Sequence, residues 1–276
     1  MSLAATALPN RGLLFLKGPD LESFLQGIIT NDVRKALSGE VIYAALLTPQ
    51  GKYLFDFFLI PHDGGLILDT EADRLQDLQR RLMMYRLRSK VEISNVSDDY
   101  IVYASDEALE GEKVICVADP RHEGLGFRCL FPKSTSFEGD LLDFDAYDKK
   151  RLDLGIADGS RDIDVEKTLI LEANFEPLHG VDFEKGCYVG QELTARMKHR
   201  GKIRKRLIRV TIEGPVPASD TPITLDDKAM GEMRSHIGKT GLAVLRGEDL
   251  EKAPFQWGDA TIHPNVQDWL QPYLKS

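Results

Sequence analysis

The chain has 276 residues, 42% of them hydrophobic and 29% charged, with net charge −9, a composition ordinary for a soluble globular protein. That length supports one large core or two to three smaller ones. No apolar run approaches the roughly 20 residues of a membrane-spanning helix, which argues against a membrane partner. The opening MSLAATALPNRGLLFLKG lacks the charged head and continuous apolar stretch of a secretory signal, and it is not an Arg-rich presequence either.

In chain order, GLLFLKG reads as a strand leading into Pro19-Asp20 and a helical apolar stripe at Leu21, Phe24, Leu25 and Ile28. VIYAALLTPQGKYLFDFFLI reads as two strands joined by a Pro-Gln-Gly turn. Gly64-Gly65 turns the chain into LILDT, and helical spacing returns at Leu75, Leu78, Leu82 and Tyr85. VEIS and YIVYAS follow as strands, and residues 107–137 alternate short strands with Gly and Pro. A helix over Asp143–Leu154 ends at Gly155, and its apolar face (Phe144, Tyr147, Leu154) includes Arg151. Such an arginine snorkels, meets a buried carboxylate or anchors an anionic ligand. Gln191–Met197 is rich in helix formers, so a helix begins near Gly190. Beyond residue 202, Ile208, Val210 and Ile212 alternate with polar residues. Turn residues (Gly214-Pro215, Pro217, Asp220) and the short segments ITL, MGEMRS and GLAVLR follow. The expected fold class is α+β over residues 1–202, as two interleaved lobes, then a small antiparallel β-barrel over residues 203–276. A ligand site is expected where the lobes meet.

Three cysteines, Cys116, Cys129 and Cys187, with no Cys-x-x-Cys, argue against a disulfide framework and a four-thiolate metal site, and for a reducing compartment. A cluster could still be held between two chains or with an added small thiol. Cys187 lies in FEKGCYVGQELTARMKHR between Gly186 and Gly190, small residues that leave a thiol accessible. A helix N-terminus just downstream, with Lys185, Arg196 and Lys198 nearby, would favour the thiolate. A reactive or ligating cysteine is one reading, and a buried cysteine acting as a small hydrophobe is the other. The residue types leave both open. No histidine in this segment supplies a base for acyl transfer. From Arg196 to Arg209 there are eight basic residues and no acids, whereas the rest of the chain sums to −17. Such an island is either the wet face of a strand pair or a patch for polyglutamate, phosphate or RNA.

The segment KGCYVGQELTAR resembles the signature of the YgfZ-type folate-binding proteins. These are relatives of the mitochondrial factor that matures four-iron, four-sulfur clusters, and they share a fold with the glycine cleavage T-protein, an aminomethyltransferase. FLQGIITNDV, LLTPQGKYLFDFFLI, YRLRSKVEI, RLDLGI, LILEANFEPLHGVDF, IRKRLIRV and GLAVLR resemble family segments in family order, over roughly residues 10 to 247. The resemblance implies an aminomethyltransferase-like folate-binding fold of three lobes around a central cavity, with the last domain truncated. It implies tetrahydrofolate or a one-carbon derivative as ligand and a transient iron–sulfur cluster, with no metal ligand assigned. It carries the pterin-binding carboxylate onto Glu172, and it places Asp56 where T-proteins carry an Asp-Asp pair, the first of which is here Phe55. Asn31, Tyr85, Arg86 and Arg196 are expected to line the folate pocket. Lys185, Gly186, Cys187, Tyr188, Gly190, Gln191 and Glu192 form the signature. The missing acid beside Asp56, together with the cysteine signature that T-proteins lack, favours an accessory protein of iron–sulfur assembly over an enzyme. Its partners would be assembly proteins or client enzymes, and its compartment the bacterial cytoplasm or, after removal of a presequence, the mitochondrial matrix. A true aminomethyltransferase, and a tRNA-modification factor using Arg196–Arg209, are the alternatives.

Overall fold

The computed structural model describes residues 3–201, 203–217 and 221–274, and for Arg200 the backbone alone. Lys202, at the expected domain boundary, and Asp220 of the expected turn lie outside the described residues. Two five-stranded sheets and a barrel make up the fold. The strands, in chain order, are β1 (Ala4–Ala7), β2 (Arg11–Lys17), β3 (Ile42–Leu47), β4 (Tyr53–His62), β5 (Gly65–Glu71), β6 (Glu92–Asn95), β7 (Tyr100–Ser105), β8 (Ile115–Ala118), β9 (Phe127–Pro132) and β10 (Asp140–Leu142). The first sheet runs β3-β4-β5-β2-β6 and the second β10-β1-β7-β9-β8. The chain interleaves them, because β1 joins the second sheet before β2 opens the first.

Strands β3, β4 and β5 are nearly continuous apolar runs because both faces of their sheet are covered. On the outer face lie helices α1 (Leu21–Gln26), α2 (Val33–Leu37) and α3 (Leu75–Arg86), whose stripes Leu21, Phe24, Leu25 and Leu75, Leu78, Leu82 pack on Leu14, Phe57, Leu59 and Leu68. The inner face, with Leu13, Phe58, Ile60 and Ile67, meets Val102 and Leu130 of the second sheet and Tyr147 and Leu152 of α4 (Phe144–Asp153). The helix after Asp20 stops at Gln26, so Ile28 is buried beyond its end rather than within it.

After α5 (Gln191–Arg200), six strands close into a barrel: β11 (Lys205–Glu213), β12 (Pro222–Leu225), β13 (Lys228–Ile237), β14 (Thr240–Arg246), β15 (Phe255–Trp257) and β16 (Ala260–Pro264). Ile208, Val210 and Ile212 point into it with Ile223, Phe255 and Ile262, as the period-two pattern requires. Closure leaves the barrel no free edge. A short helix, α6 (Gln271–Leu274), follows the last strand.

Arg151 joins the barrel to the body. It is fully buried, donates to Asp148 at 2.5 Å and Asp162 at 2.7 Å, and reaches Ser235 Oγ of β13 at 2.7 Å. Of the options open from sequence, the structure selects the buried carboxylate.

Candidate functional site: an anchored thiol and a separate cleft

The segment Asp182–Gly190 has no regular secondary structure, yet it is fixed along its length. Asp182 N donates to Thr30 O at 3.0 Å, and Lys35 pairs with the Asp182 carboxylate at 2.8 Å. Gln26 Nε2 donates to Lys185 O at 3.1 Å, and Val189 N donates to Gly27 O at 3.1 Å. The loop is thus laid over the α1–α2 connection, with a bond on each side of Cys187. Lys185 and Tyr188 point inward and are buried, whereas Gly186 and Cys187 face solvent. Gly190 has φ 84° as it leads into α5, and a Cβ there would lie 2.6 Å from Thr48 O, so only glycine lets the loop sit on the Thr48–Gly51 turn. The sequence leaves Cys187 open between an accessible thiol and a buried hydrophobe, and the structure makes it an exposed free thiol.

The charges expected around that thiol are arranged differently. Lys185 turns inward, donates from Nζ to Ile29 O at 2.5 Å and lies 5.1 Å from the Tyr188 ring. Burial pushes its ammonium down to about 8 and the Tyr188 phenol up to about 12. Arg196 is paired with Glu192 at 2.5 Å on the exposed face of α5, and Lys198 is paired with Glu176. Among the described residues, no group of three or more His, Cys, Asp or Glu side chains could hold a metal ion. Cys187 belongs to no such group among the described residues.

Glu172 lies elsewhere, in a run of turns after residue 168. Its carboxylate accepts from Leu169 N at 3.3 Å and lines a cleft of about 230 Å³ with Asp164, Lys167, Lys205 and Arg234. Through Glu232 and Arg234 this space adjoins a cleft of about 820 Å³ lined by Arg161, His236 and Trp257.

Asp56 is enclosed. At 2% exposure on β4, it accepts from Tyr43 Oη at 2.9 Å and Tyr53 Oη at 2.5 Å. Burial first, and the Asp56 charge second, push both phenols well above their ordinary range. The space between the sheets is filled by the chain's own side chains. Tyr43 stacks on Phe175 at 5.0 Å, Arg128 lies 4.0 Å over Phe58, and Asp69 is clamped between Arg11 at 2.7 Å and Arg128 at 2.8 Å. Asp56 therefore has buried partners rather than a place at a pocket mouth.

The other expected folate contacts do not converge on Glu172. Asn31 spends its amide on Tyr43 O and His179 O, both at 2.8 Å, and Arg86 donates to Val91 O at 3.0 Å. Tyr85 packs on the outer core, and Arg196 is on α5. The carried-over residues thus do not fit a bound folate as one set, and the cleft at Glu172 is lined by none of the others. The basic island also disperses. Arg206 is buried and donates to Leu171 O at 2.9 Å and Tyr273 O at 2.8 Å, and Arg209 pairs with Asp153 at 3.2 Å. Arg204 and Lys205 remain exposed, while Lys202 and the Arg200 side chain lie outside the described residues. The sequence argues against a disulfide framework, yet one pair of cysteines is bonded. Cys116 on β8 and Cys129 on β9 are directly opposite in the ladder, with Cα atoms 4.0 Å apart, and are bonded. Strand pairing creates that proximity, and a spacing of 13 residues gives no sign of it.

Sequence reasoning missed the Asp119–Arg121 and Asp69–Arg128 pairs between the sheets, which lie in short strands and turns without any periodic pattern.

The fold is similar to that of the glycine cleavage system aminomethyltransferase T from Bartonella henselae, with a TM-score of 0.75 at 13% identity, covering 97% of this chain and 86% of that one. Residues 204–272 match the family described as CAF17, C-terminal β-barrel domain. The mitochondrial iron–sulfur cluster assembly factor IBA57 of Mus musculus is 35% identical over 88% of this chain and 78% of its own length. Its Homo sapiens counterpart is 33% identical over 96% of this chain and 85% of its own length. The signature pointed to the YgfZ type, and these relatives are named instead as mitochondrial assembly factors. With this identity and coverage, the chain belongs to the IBA57 family of iron–sulfur cluster assembly factors.

Proposed function

We propose that this protein is an accessory factor of iron–sulfur cluster assembly that works by presenting the Cys187 thiol to a cluster or to a partner protein. The observation that carries this reading is the loop itself. It exposes one free thiol while bonds from Gln26, Lys185 and Val189 fix the backbone around it. A thiol on a fixed loop meets a partner-borne cluster or sulfur atom with little ordering cost. Relatives named as iron–sulfur cluster assembly factors support the role in cluster assembly, and their mitochondrial names agree with the matrix option for compartment.

The aminomethyltransferase alternative lacks support at its acid, because Asp56 is sealed beneath Tyr43 and Tyr53. The residues expected to hold tetrahydrofolate are dispersed over the fold, so the geometry supports no one-carbon step. A calorimetric titration with tetrahydrofolate showing binding abolished by Glu172→Gln would restore it as a ligand. The RNA alternative is weakened, because Arg196, Lys198 and Arg209 are paired with carboxylates and Arg206 is buried.

The deciding experiment replaces Cys187 with Ala in cells that depend on this protein. Protein level and melting temperature should be unchanged, and the activity of four-iron enzymes should fall while two-iron enzymes keep theirs. Normal four-iron activity would refute the proposal.

A further inference from the structure

Helix α3 ends in a feature that the free protein does not explain. Ser89 N donates to Arg86 O at 2.8 Å, closing a four-residue turn with Leu87 at its second position. Leu87 has φ 47° and ψ −106°. That is the conformation of the first central residue of a type II′ turn, a place that favours glycine because a Cβ is crowded there. The leucine is also 85% exposed, so no packing compensates the backbone cost. Met84 (70% exposed) and Met83 (43% exposed) are exposed apolar residues of the last turn of α3, just before it. Strain together with exposure of an apolar side chain is unfavourable alone and becomes useful once a partner covers it.

The rim indicates what kind of partner. Residues 80–90 hold five basic residues (Arg80, Arg81, Arg86, Arg88, Lys90) and no acid, in a chain of net charge −9. Arg80 is paired with Asp77, and Arg86 is turned to the backbone of Val91. Arg88 and Lys90 are exposed and make no ion pair among the described residues. An open groove beside the turn is lined by Asp20, Ser23, Leu87, Arg88 and Ser89.

The groove is coupled to the signature loop through α1. At one end of that helix the Asp20 carboxylate accepts from Lys90 N at 2.7 Å, and at the other Gln26 donates to Lys185 O at 3.1 Å. Six residues of helix separate those two attachments by about 9 Å. Tyr85 and Val189, one from each segment, also pack against the same core cluster.

We propose that the Met83–Met84–Leu87 patch with its Arg88–Lys90 rim is the docking surface for an acidic iron–sulfur assembly protein, held there beside the loop that carries Cys187. The inference rests on the function proposed above. Apolar anchors supply the holding energy, and the basic rim steers an acidic partner and sets its orientation.

The test compares Leu87→Gly, Arg88→Glu and Cys187→Ala as the sole copy in cells. Leu87→Gly removes the anchor and relieves the backbone, so its melting temperature should equal or exceed that of the parent while four-iron enzyme activity falls at least about fivefold. Arg88→Glu should lower activity similarly. A photocrosslinking side chain at position 87 should yield an adduct with an acidic iron–sulfur protein, and Arg88→Glu should abolish that adduct. If Cys187→Ala loses activity but Leu87→Gly keeps it, the docking surface is wrong and the function stands. If both keep full activity, the function itself is wrong. A lower melting temperature in Leu87→Gly, an adduct with a second copy of this chain, or cosedimentation with anionic phospholipid vesicles through this face would each overturn the proposal.

Discussion

Replacing Lys185 with methionine should stabilise the protein at neutral pH, although it removes a signature residue. Lys185 is 5% exposed, and its ammonium meets one backbone carbonyl, Ile29 O, with no ion pair among the described residues. Burial holds its pKa at about 8 instead of 10.5, against the weaker pull of the more distant Asp32 and Asp182. That displacement corresponds to about 3 kcal/mol against the folded state when the amine is charged. Methionine fills a similar volume without the charge but strands the Ile29 carbonyl, which returns roughly 1–2 kcal/mol. The net gain at pH 7 is about 1–2 kcal/mol. Between pH 8 and 10.5 the unfolded chain binds the proton that the folded chain has released, so wild-type stability rises with pH across that window. The advantage of the variant should therefore shrink above pH 8 and reverse before 10.5, where only the stranded Ile29 carbonyl separates the two proteins. Urea unfolding of both proteins at pH 7, 8.5 and 10 measures it. A variant that is less stable at pH 7, or a difference that is constant with pH, would refute the reasoning. A signature residue kept at a cost in stability is the pattern expected at a functional site.

Gly190→Ala should destabilise by at least about 1–3 kcal/mol, through its left-handed backbone and the contact with Thr48 O, and should expose the loop to limited proteolysis. Arg151→Met leaves Asp162 buried without its cation and should cost about 3–5 kcal/mol in chemical denaturation, with the barrel–body junction loosened first in hydrogen exchange. Burial alone would raise the carboxyls of Asp119 and Asp158. Arg121 beside the first, and Arg151 and Arg11 around the second, hold them below the ordinary range. Their folded values are thus below their unfolded ones, so their stabilisation is present above the unfolded value of about 4 and is lost as pH falls through the folded values. Arg121→Gln should move the acid-unfolding midpoint upward, read by near-ultraviolet circular dichroism, and an unmoved midpoint would remove Asp119 from the account.

The periodic elements were legible in the sequence. The stripes at Leu21, Phe24, Leu25 and at Leu75, Leu78, Leu82 became α1 and α3, and the alternation at Ile208, Val210 and Ile212 became a barrel strand, because each pattern reports one buried face of one local element. The start of α5 at Gly190 and the end of α4 before Gly155 followed from local backbone preference. The signature segment was also visible, including the possibility of an accessible Cys187.

What the sequence could not give was direction and pairing across distance. Lys185 is two residues from Cys187 in the chain, but its side chain turns inward to Ile29, because the loop is pinned to residues 26–30 on another element. Asp56 reads equally well as sealed or open until Tyr43 and Tyr53 close over it. Cys116 and Cys129 meet through strand pairing alone. The sequence by itself determined the elements and marked Cys187 as a candidate. The tertiary structure decided that this thiol faces solvent on a fixed loop while Glu172 lines a separate cleft. Periodicity is a property of neighbours in the chain, whereas exposure depends on which distant segments cover a side chain.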